Sequence, residues 1–598
     1  MRALKKLFSL LTKDERRHLS YLFVAVLVMA GLEVVTVASI MPFLSVASDP
    51  SAIRNNAYLE WAYGVGGFES ERTFLIALGF GSFLILFVSN GIIILTTWML
   101  QKFIWMRNHS LSRRLLRSYL YRPYEYFLTR NTSKMGKNVL EEVKEVTGGL
   151  FRPALLGMAK AIVSLFILGF LVVVDPVVAL LAAVTLGMTY GVIYLSVRRW
   201  LNHAGRNRVE SNSDRYQFVN EAFGGIKEVK LRGKEEEFLH LYDPASIRYS
   251  WYQALYRVVQ MAPRYLLEAI AFGGIILIAT YLIATRNAVE QVIPILGLYA
   301  FAGYRLLPAL QKAFNGITSL HYNTAALEAI RSDLTEPEYS DSQPSRTRSR
   351  DSPLVLDDQL RLSDVTFAYP DAENPAIRDL SLEIDANTTV GFVGKTGSGK
   401  TTVIDLILGL LRPQSGEITV NDELLTGRNL ERWQQSVGYV PQHIYLSDDS
   451  VARNIAFGVP REDIDLDKVR KAAEMAQIHD FIDGELAEGF ETNVGEQGVK
   501  LSGGQRQRIG IARALYHNPS TLVFDEATSA LDQKTAANVM RSIHALGTNH
   551  TILIIAHRLS TVQKADTIFE LSQGRLVGKG TYAELVEDSG DQEALASL

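Results

Sequence analysis

The chain opens with apolar residues at helical spacing, Leu4, Leu7, Phe8 and Leu11, set among Lys5, Lys6 and Lys13. That pattern predicts a helix lying on a bilayer surface over residues 1–18. Apolar runs follow that are long enough to cross a hydrocarbon core, which takes roughly 20 residues as a helix. Residues 19–45 hold one charge, Glu33, and residues 73–100 hold none. Residues 153–174 hold only Lys160, and residues 177–197 hold none. Residues 269–285 and 291–304 are shorter, but apolar sequence flanks both. Six spans are therefore expected within a helical domain at 19–335. Asp175-Pro176 between the third and fourth is a turn signal and predicts a very short hairpin.

Basic residues near the spans set the orientation. Residues 101–152 carry eleven Lys or Arg and residues 198–264 carry twelve, whereas residues 46–72 carry only Arg54 and Arg72. The N-terminus and the two long basic segments are expected in the cytoplasm, as helices that project beyond the bilayer and turn back. Asp49-Pro50-Ser51 reads as a helix start outside the membrane, with Ile53, Tyr58, Leu59 and Trp61 as its apolar side. A short external helix near the headgroups and an ordered loop are both compatible with that stretch. Residues 336–353 (EPEYSDSQPSRTRSRDSP) are almost free of apolar residues and read as a flexible linker.

From 354 to 598 the pattern becomes that of a soluble domain, with short β-type runs alternating with helices. One buried-type strand ends at Val393. After it come Gly394, Lys395, Thr396, Gly397, Ser398, Gly399, Lys400, Thr401 and Thr402, and then an apolar helix. This fits G-x-x-x-x-G-K-[ST] in the strand–loop–helix setting the motif requires. Its glycines let backbone N–H groups wrap phosphates at a helix start. Lys400 would neutralise phosphate charge, and the Thr401 hydroxyl would ligate Mg²⁺. A second strand ends in Asp525-Glu526. Asp525 is placed to hold Mg²⁺ through water, and Glu526 to polarise an attacking water. A third strand ends at His557, where a switch histidine could reach the γ-phosphate.

Composition narrows the function further. A formal net charge of −3 argues against a dedicated nucleic-acid binder. The absence of cysteine excludes disulfides, thiolate metal sites and cysteine nucleophiles.

Leu501-Ser502-Gly503-Gly504-Gln505, followed by Arg506, Arg508 and an Ala-rich helix, resembles the signature of the ATP-binding cassette (ABC) family, and the resemblance covers essentially the whole chain. It implies a six-span α-helical transmembrane domain fused to an α/β P-loop NTPase nucleotide-binding domain, the type IV ABC exporter architecture. It also implies that Tyr369 stacks on adenine and that Gln442 links Mg²⁺ to the membrane domain. Residues 529–532, ending at Asp532, match the D-loop, and residues 492–498 (TNVGEQG) resemble the segment exporters place against coupling helices. In this family the signature loop of one cassette covers the ATP held by the other. One P-loop and one signature per chain therefore imply a dimer, most simply a homodimer, with Ser502, Gly503, Gly504 and Gln505 facing the partner's nucleotide.

Residues 34–42 (VVTVASIMP), 262–268 (APRYLLE) and 300–308 (AFAGYRLLP) together resemble the bacterial flippases of lipid-linked oligosaccharides. That resemblance implies an inner-membrane exporter of polyprenyl-diphosphate glycans. Exporters of lipid A-type lipids, drugs or peptides are the alternative. Arg264 and Arg305 sit in or beside the last two spans, where a charge is costly and guanidinium suits phosphate oxygens. Arg264 has Glu268 at i+4, so an ion pair competes with the pocket reading there. Arg305 has no acid within four residues. For Lys160 a polar contact between helices is the expectation.

Overall fold

The structure, a computed structural model, describes residues 7–174, 176–285, 292–335, 352–370, 372–526, 541, 550–556 and 562–588. It divides into two units, Met1–Arg122 with Arg130–Ser342, and Pro123–Thr129 with Gln343–Leu598. Most of the linker at 336–353 falls outside the described residues, as does Asp175.

In the first unit, six long helices cover the six expected spans. They are α1 (Lys13–Ser48), α2 (Glu71–Leu120), α3 (Arg152–Val174), α4 (Pro176–Gly224), α5 (Glu235–Thr285) and α6 (Val292–Tyr322). Among the described residues, Lys13–Ser48, Glu71–Leu120 and the helical run Thr132–Val174 each contain a stretch long and apolar enough to cross a membrane. Helices α2, α4 and α5 have 50, 49 and 51 residues. At 1.5 Å per residue each is about 75 Å long, so each outruns a hydrocarbon core of about 30 Å.

Thr12 and Glu15 start α1 with a reciprocal cap, Thr12 Oγ1 accepting the Glu15 N–H at 3.3 Å and Glu15 Oε2 the Thr12 N–H at 2.9 Å. Before it, residues 7–9 are helical. Leu7, Leu10 and Leu11 are buried by protein, and Arg114 donates to the Leu10 carbonyl at 2.7 Å. The described part of the N-terminal segment thus packs its apolar side on the bundle. Between α1 and α2 stand two short helices, Ala52–Asn55 and Ala57–Val65. Asn56 caps the second by accepting the N–H groups of Tyr58 and Leu59 at 3.0 and 3.4 Å. Ile53 and Leu59 form a small core with Val46 and Phe74. Tyr58 and Trp61 point outward, as suits aromatic side chains at a headgroup layer.

Before α3 the chain widens into two π-helical stretches, Asn138–Glu142 and Glu145–Phe151. They carry an enclosed charge network. Arg208 of α4, fully buried, lies 3.8 Å from Glu142 and 3.6 Å from Glu145, and Lys137 lies 3.4 Å from Glu142. Two cations against two carboxylates balance, which is what makes their burial tolerable. Nearby, Tyr256 and Tyr322 stack with ring centroids 3.8 Å apart.

The second unit has two sheets. One runs in the order β2 (Ile377–Asp385), β1 (Gln359–Phe367), β4 (Ser415–Val420), β5 (Glu423–Leu424) and is antiparallel. The other runs β10 (Arg575–Gly580), β9 (Thr567–Ser572), β3 (Thr389–Val393), β8 (Thr551–Ile555), β7 (Thr521–Asp525), β6 (Val437–Val440). Its strands β9 to β6 pair in parallel, and β10 is the antiparallel edge. Every residue of β3, β7 and β8 is buried, as expected of a parallel sheet covered on both faces. Alternation sorts the side chains: Leu522, Phe524, Ile552 and Ile554 join one core, while Val523, Leu553 and Ile555 join the other.

Candidate functional site

Strand β3 delivers the glycine loop to the carboxyl edge of the parallel sheet, where ligands bind in folds of this kind. Gly394 leaves the strand at φ 143°, and a Cβ there would sit 2.2 Å from the Leu571 carbonyl oxygen. Gly399 is at φ 106°, and its Cβ would meet Ile377 at 2.8 Å. No side chain fits at either position, so the loop passes close under β9 before helix α7 (Lys400–Ile407) begins.

Lys400 is buried and folds over the loop, donating from Nζ to the Gly394 carbonyl at 2.6 Å and the Lys395 carbonyl at 3.1 Å. Burial pushes its pKa down, and the carboxylates of Glu526 and Asp525 push back. Parallel pairing of β3 with β8 and of β8 with β7 is what brings those carboxylates to the lysine. Asp525 is buried and accepts a long hydrogen bond from the Tyr439 hydroxyl at 3.4 Å. Glu526 turns at φ 50° and accepts from Gln442 Nε2 at 2.8 Å.

Lys395, Thr396 and Gly397 line the open side of the loop, and Ser398 is buried. The Ser398 hydroxyl has no hydrogen-bond partner among the described residues. An orphaned hydroxyl beside a buried ammonium, in a loop stripped of side chains, fits a polyphosphate. For a hard divalent cation the Thr401 hydroxyl, the Asp525 carboxylate and the Gln442 amide are oxygen donors of the right kind. Among the described residues no cluster of three His, Cys, Asp or Glu forms a cage. A cation here would take its remaining oxygens from phosphate and water.

The other expected residues lie as follows. Tyr369 is half-buried, its hydroxyl 3.0 Å from Thr402 Oγ1 and its ring edge-on to Phe367. Helix α8 (Gly503–Leu515) begins at the signature. Ser502 and Gln505 cap it reciprocally, Gln505 N–H to Ser502 Oγ at 3.2 Å and Ser502 N–H to Gln505 Oε1 at 2.8 Å. Gln505 is thereby occupied within its own chain, while the N–H groups of Gly503 and Gly504 fall in the first turn, where no helical acceptor exists. His557 and Asp532, with residues 529–531, lie outside the described residues. In α5, Arg264 donates from Nε to Glu268 Oε1 at 2.7 Å, the local ion pair. In α6, the Arg305 Nε is buried with no hydrogen-bond partner, and its guanidinium lies 5.8 Å from the Phe301 ring centre. No hydrogen bond or ion pair joins the two arginines among the described residues.

Several residues around the site carried no motif. Arg513 of α8 ties that helix to the segment after Gln442, donating to the Asn454 and Tyr445 carbonyls at 2.8 Å each. Asp405 on α7 is buried, with a pKa raised to about 6 by burial first and by Asp525 second. Pro123–Thr129 groups with this unit, and Glu125 Oε1 accepts the Arg412 N–H at 3.4 Å. A cleft of about 520 Å³ opens between Gln442 and the start of α8, with Tyr445, Gln497 and Arg506 on its walls.

A helical membrane unit followed by a P-loop ATPase unit, with a glycine-rich signature opening α8, defines the ABC exporter class. Residues 377–529 match the family model of the ABC transporter, and residues 19–302 that of the ABC transporter transmembrane region. The chain belongs to the ABC transporters: it is a membrane protein whose nucleotide-binding domain couples ATP hydrolysis to transport. It is similar to the ATP-dependent lipid A-core flippase of Alkalilimnicola ehrlichii, 31% identical over 480 residues and 80% of each chain. The flippase of the same name from Cupriavidus metallidurans is 32% identical over 476 residues, 79% of this chain and 78% of its own. The fold matches that of a bacterial Atm1-family ABC exporter with ATP bound, TM-score 0.76 over 97% of both chains at 23% identity.

Proposed function

We propose that the chain acts as a homodimer in the bacterial inner membrane and uses ATP to export a lipid-linked oligosaccharide, a glycan on polyprenyl diphosphate. Each ATP lies between the glycine loop and Lys400 of one copy and Ser502, Gly503 and Gly504 of the other. Tyr369 meets the adenine, and Asp532 and His557 complete the site. Thr401, Gln442 and Asp525 would hold Mg²⁺, which would supply neutralisation of phosphate charge. Glu526 accepts the proton of the attacking water, oriented by Gln442. Closure of the two cassettes drives the membrane helices, and hydrolysis resets them.

The observation that carries the substrate reading is Arg305, a guanidinium within an apolar helix whose buried Nε has no partner. A charge in that position is functional by default, and a diphosphate supplies the oxygens it lacks. The pairing of Arg264 with Glu268 favours a structural part for that residue. The name shared by the relatives favours a second reading, a lipid A-type cargo, which is also a phosphorylated saccharide on lipid. The test is ATPase activity of the dimer in lipid nanodiscs. It is run with a polyprenyl-diphosphate oligosaccharide, with the same lipid lacking diphosphate, and with lipid A. Stimulation that needs the diphosphate and is lost in Arg305→Ala supports the oligosaccharide reading. Stimulation by lipid A alone transfers the function to the second.

A further inference from the structure

A groove of about 320 Å³ runs between α1 and α3, with Leu100 of α2 and Phe8 of the N-terminal segment also on its wall. Its two sides are matched stripes. Helix α1 contributes Leu19, Leu22, Phe23 and Val26, and α3 repeats the same i, i+3, i+4, i+7 spacing from Leu155 to Ile162. That spacing puts each set on one face of its helix, so the groove follows both helix axes. Its floor is closed: Leu22, Val26, Leu100, Leu155 and Ala159 are between 3% and 5% exposed. Phe23 and Met158 stand out as rims at 51% and 38%. Beyond the groove, Lys160 Nζ meets Glu33 Oε1 at 2.5 Å and ties α3 to α1.

Only two of the lining residues are polar, Arg16 and Ser20, both in the first turns of α1. The Ser20 hydroxyl already donates to the Arg17 carbonyl at 2.7 Å. Arg16 is exposed, and its helical neighbours at three and four residues are Thr12, Lys13, Leu19 and Ser20, none of them an acid. The charged run from Lys13 to His18 marks this end as the membrane–water interface. From Arg16 to Val26 the helix rises about 15 Å, the depth of one leaflet of a hydrocarbon core about 30 Å thick. An apolar slot one leaflet deep, with a cation at its mouth, has the shape and charge of one acyl chain below an anionic headgroup. We infer that this groove holds an acyl chain of a resident anionic phospholipid, with Arg16 meeting the negative charge of its headgroup. The lipid is not cargo, because the closed floor offers no way into the bundle. Because Phe8 shares the slot, the same chain holds the N-terminal segment against α1 and α3.

The test uses the absence of cysteine from the chain. Met158→Cys places a bimane fluorophore on the rim of the groove, and Ile94→Cys places one at an exposed position of α2 outside it. The full-length protein is set in phosphatidylcholine nanodiscs. Quenching is read with a small fraction of phosphatidylglycerol, or of phosphatidylcholine, brominated on its acyl chains. On Met158→Cys, phosphatidylglycerol should quench about fivefold more strongly per lipid, the weight of one arginine at a membrane surface. On Ile94→Cys the two lipids should quench alike. Adding Arg16→Gln should remove the preference, and Arg16→Lys should keep it. Equal quenching by both lipids on Met158→Cys means no headgroup is selected and overturns the site. So does a preference of the same size on Ile94→Cys, which means general enrichment around a basic chain, and so does a preference that survives Arg16→Gln. A bimane on Met158→Cys that neither lipid quenches means that protein fills the groove, either a second copy or the first residues of this chain, and overturns it too. No cargo is present in the assay, so none of these outcomes touches the function proposed above.

Discussion

Gln442 donates its side-chain N–H to Glu526 across 2.8 Å, and Glu526 meets it from a backbone turned to φ 50°. A glutamate in the left-handed region is disfavoured by about 1–2 kcal/mol, so the turn persists only because the strand before it and its own N–H fix it. That N–H reaches the Ile555 carbonyl at 3.3 Å. The carboxylate at the end of β7 and the loop after β6 are thus linked by one amide. A change at either is felt by the other.

Glu526→Gln should therefore keep ATP binding and lose turnover by about 10²–10⁴-fold, the usual contribution of a general base. Gln442→Ala should lower the rate less, because it removes the orienting amide and leaves the carboxylate. Steady-state ATPase rates together with ATP retained after gel filtration distinguish the two. A Glu526→Gln variant that hydrolyses at close to the wild-type rate rules out the base assignment.

Asp405 gives a pH dependence with a definite sign. Its carboxyl is raised from 3.8 to about 6 in the folded chain, by burial and then by Asp525. The folded state therefore holds this proton more tightly than the unfolded one. Stability falls as pH rises through the interval between about 4 and 6, and the penalty persists above it. Asp405→Asn should remove that slope and raise stability at pH 7 by about 1–2 kcal/mol, after allowance for residual solvent contact. Thermal unfolding midpoints of both proteins between pH 4.5 and 7.5 check this. Parallel curves would show that another group titrates.

What the sequence made legible follows from how far apart the interacting residues lie. The glycine loop needs only its neighbours, because Gly394 and Gly399 are fixed by the turn they make. The Arg264–Glu268 pair is one helical turn long and was open to inspection as i+4. The Ser502–Gln505 cap is likewise local, S-x-x-Q before a helix, and it engages the Gln505 side chain that the signature alone assigns to a partner's nucleotide. Arg208 with Glu142, and Glu125 with Arg412, are joined only by tertiary packing, 66 and 287 positions apart. No periodicity points from one to the other. Lys160 was expected to contact another helix, but only packing selects Glu33 as its partner.

The enclosed network around Arg208 is the place where a single change should cost most in the first unit. Arg208→Ala leaves the buried Glu142 with only Lys137 and the half-buried Glu145 without its cation, and breaking a buried pair costs about 3–5 kcal/mol. The variant should show a sharply lower thermal midpoint in detergent or fail to accumulate in membranes. An unchanged midpoint would mean that water reaches these groups. In that case their burial by Tyr322 and the π-helical turns is not the controlling factor.

The crossing of α3 and α6 can be tested with one methyl group placed at two sites on the same helix. At Gly316 a Cβ would stand 2.7 Å from the Pro153 carbonyl oxygen and 3.1 Å from the Gly157 Cα, both backbone atoms that cannot swing aside. At Gly303 a Cβ would meet nothing within 4 Å. Gly316→Ala should therefore push the helices apart at a cost of about 1–3 kcal/mol, the range for overpacking a tight contact. Gly303→Ala should be neutral or stabilising by up to about 1 kcal/mol, since alanine suits a helix interior better than glycine. Equal thermal midpoints for the two variants would show that the backbones of α3 and α6 do not touch at Gly316.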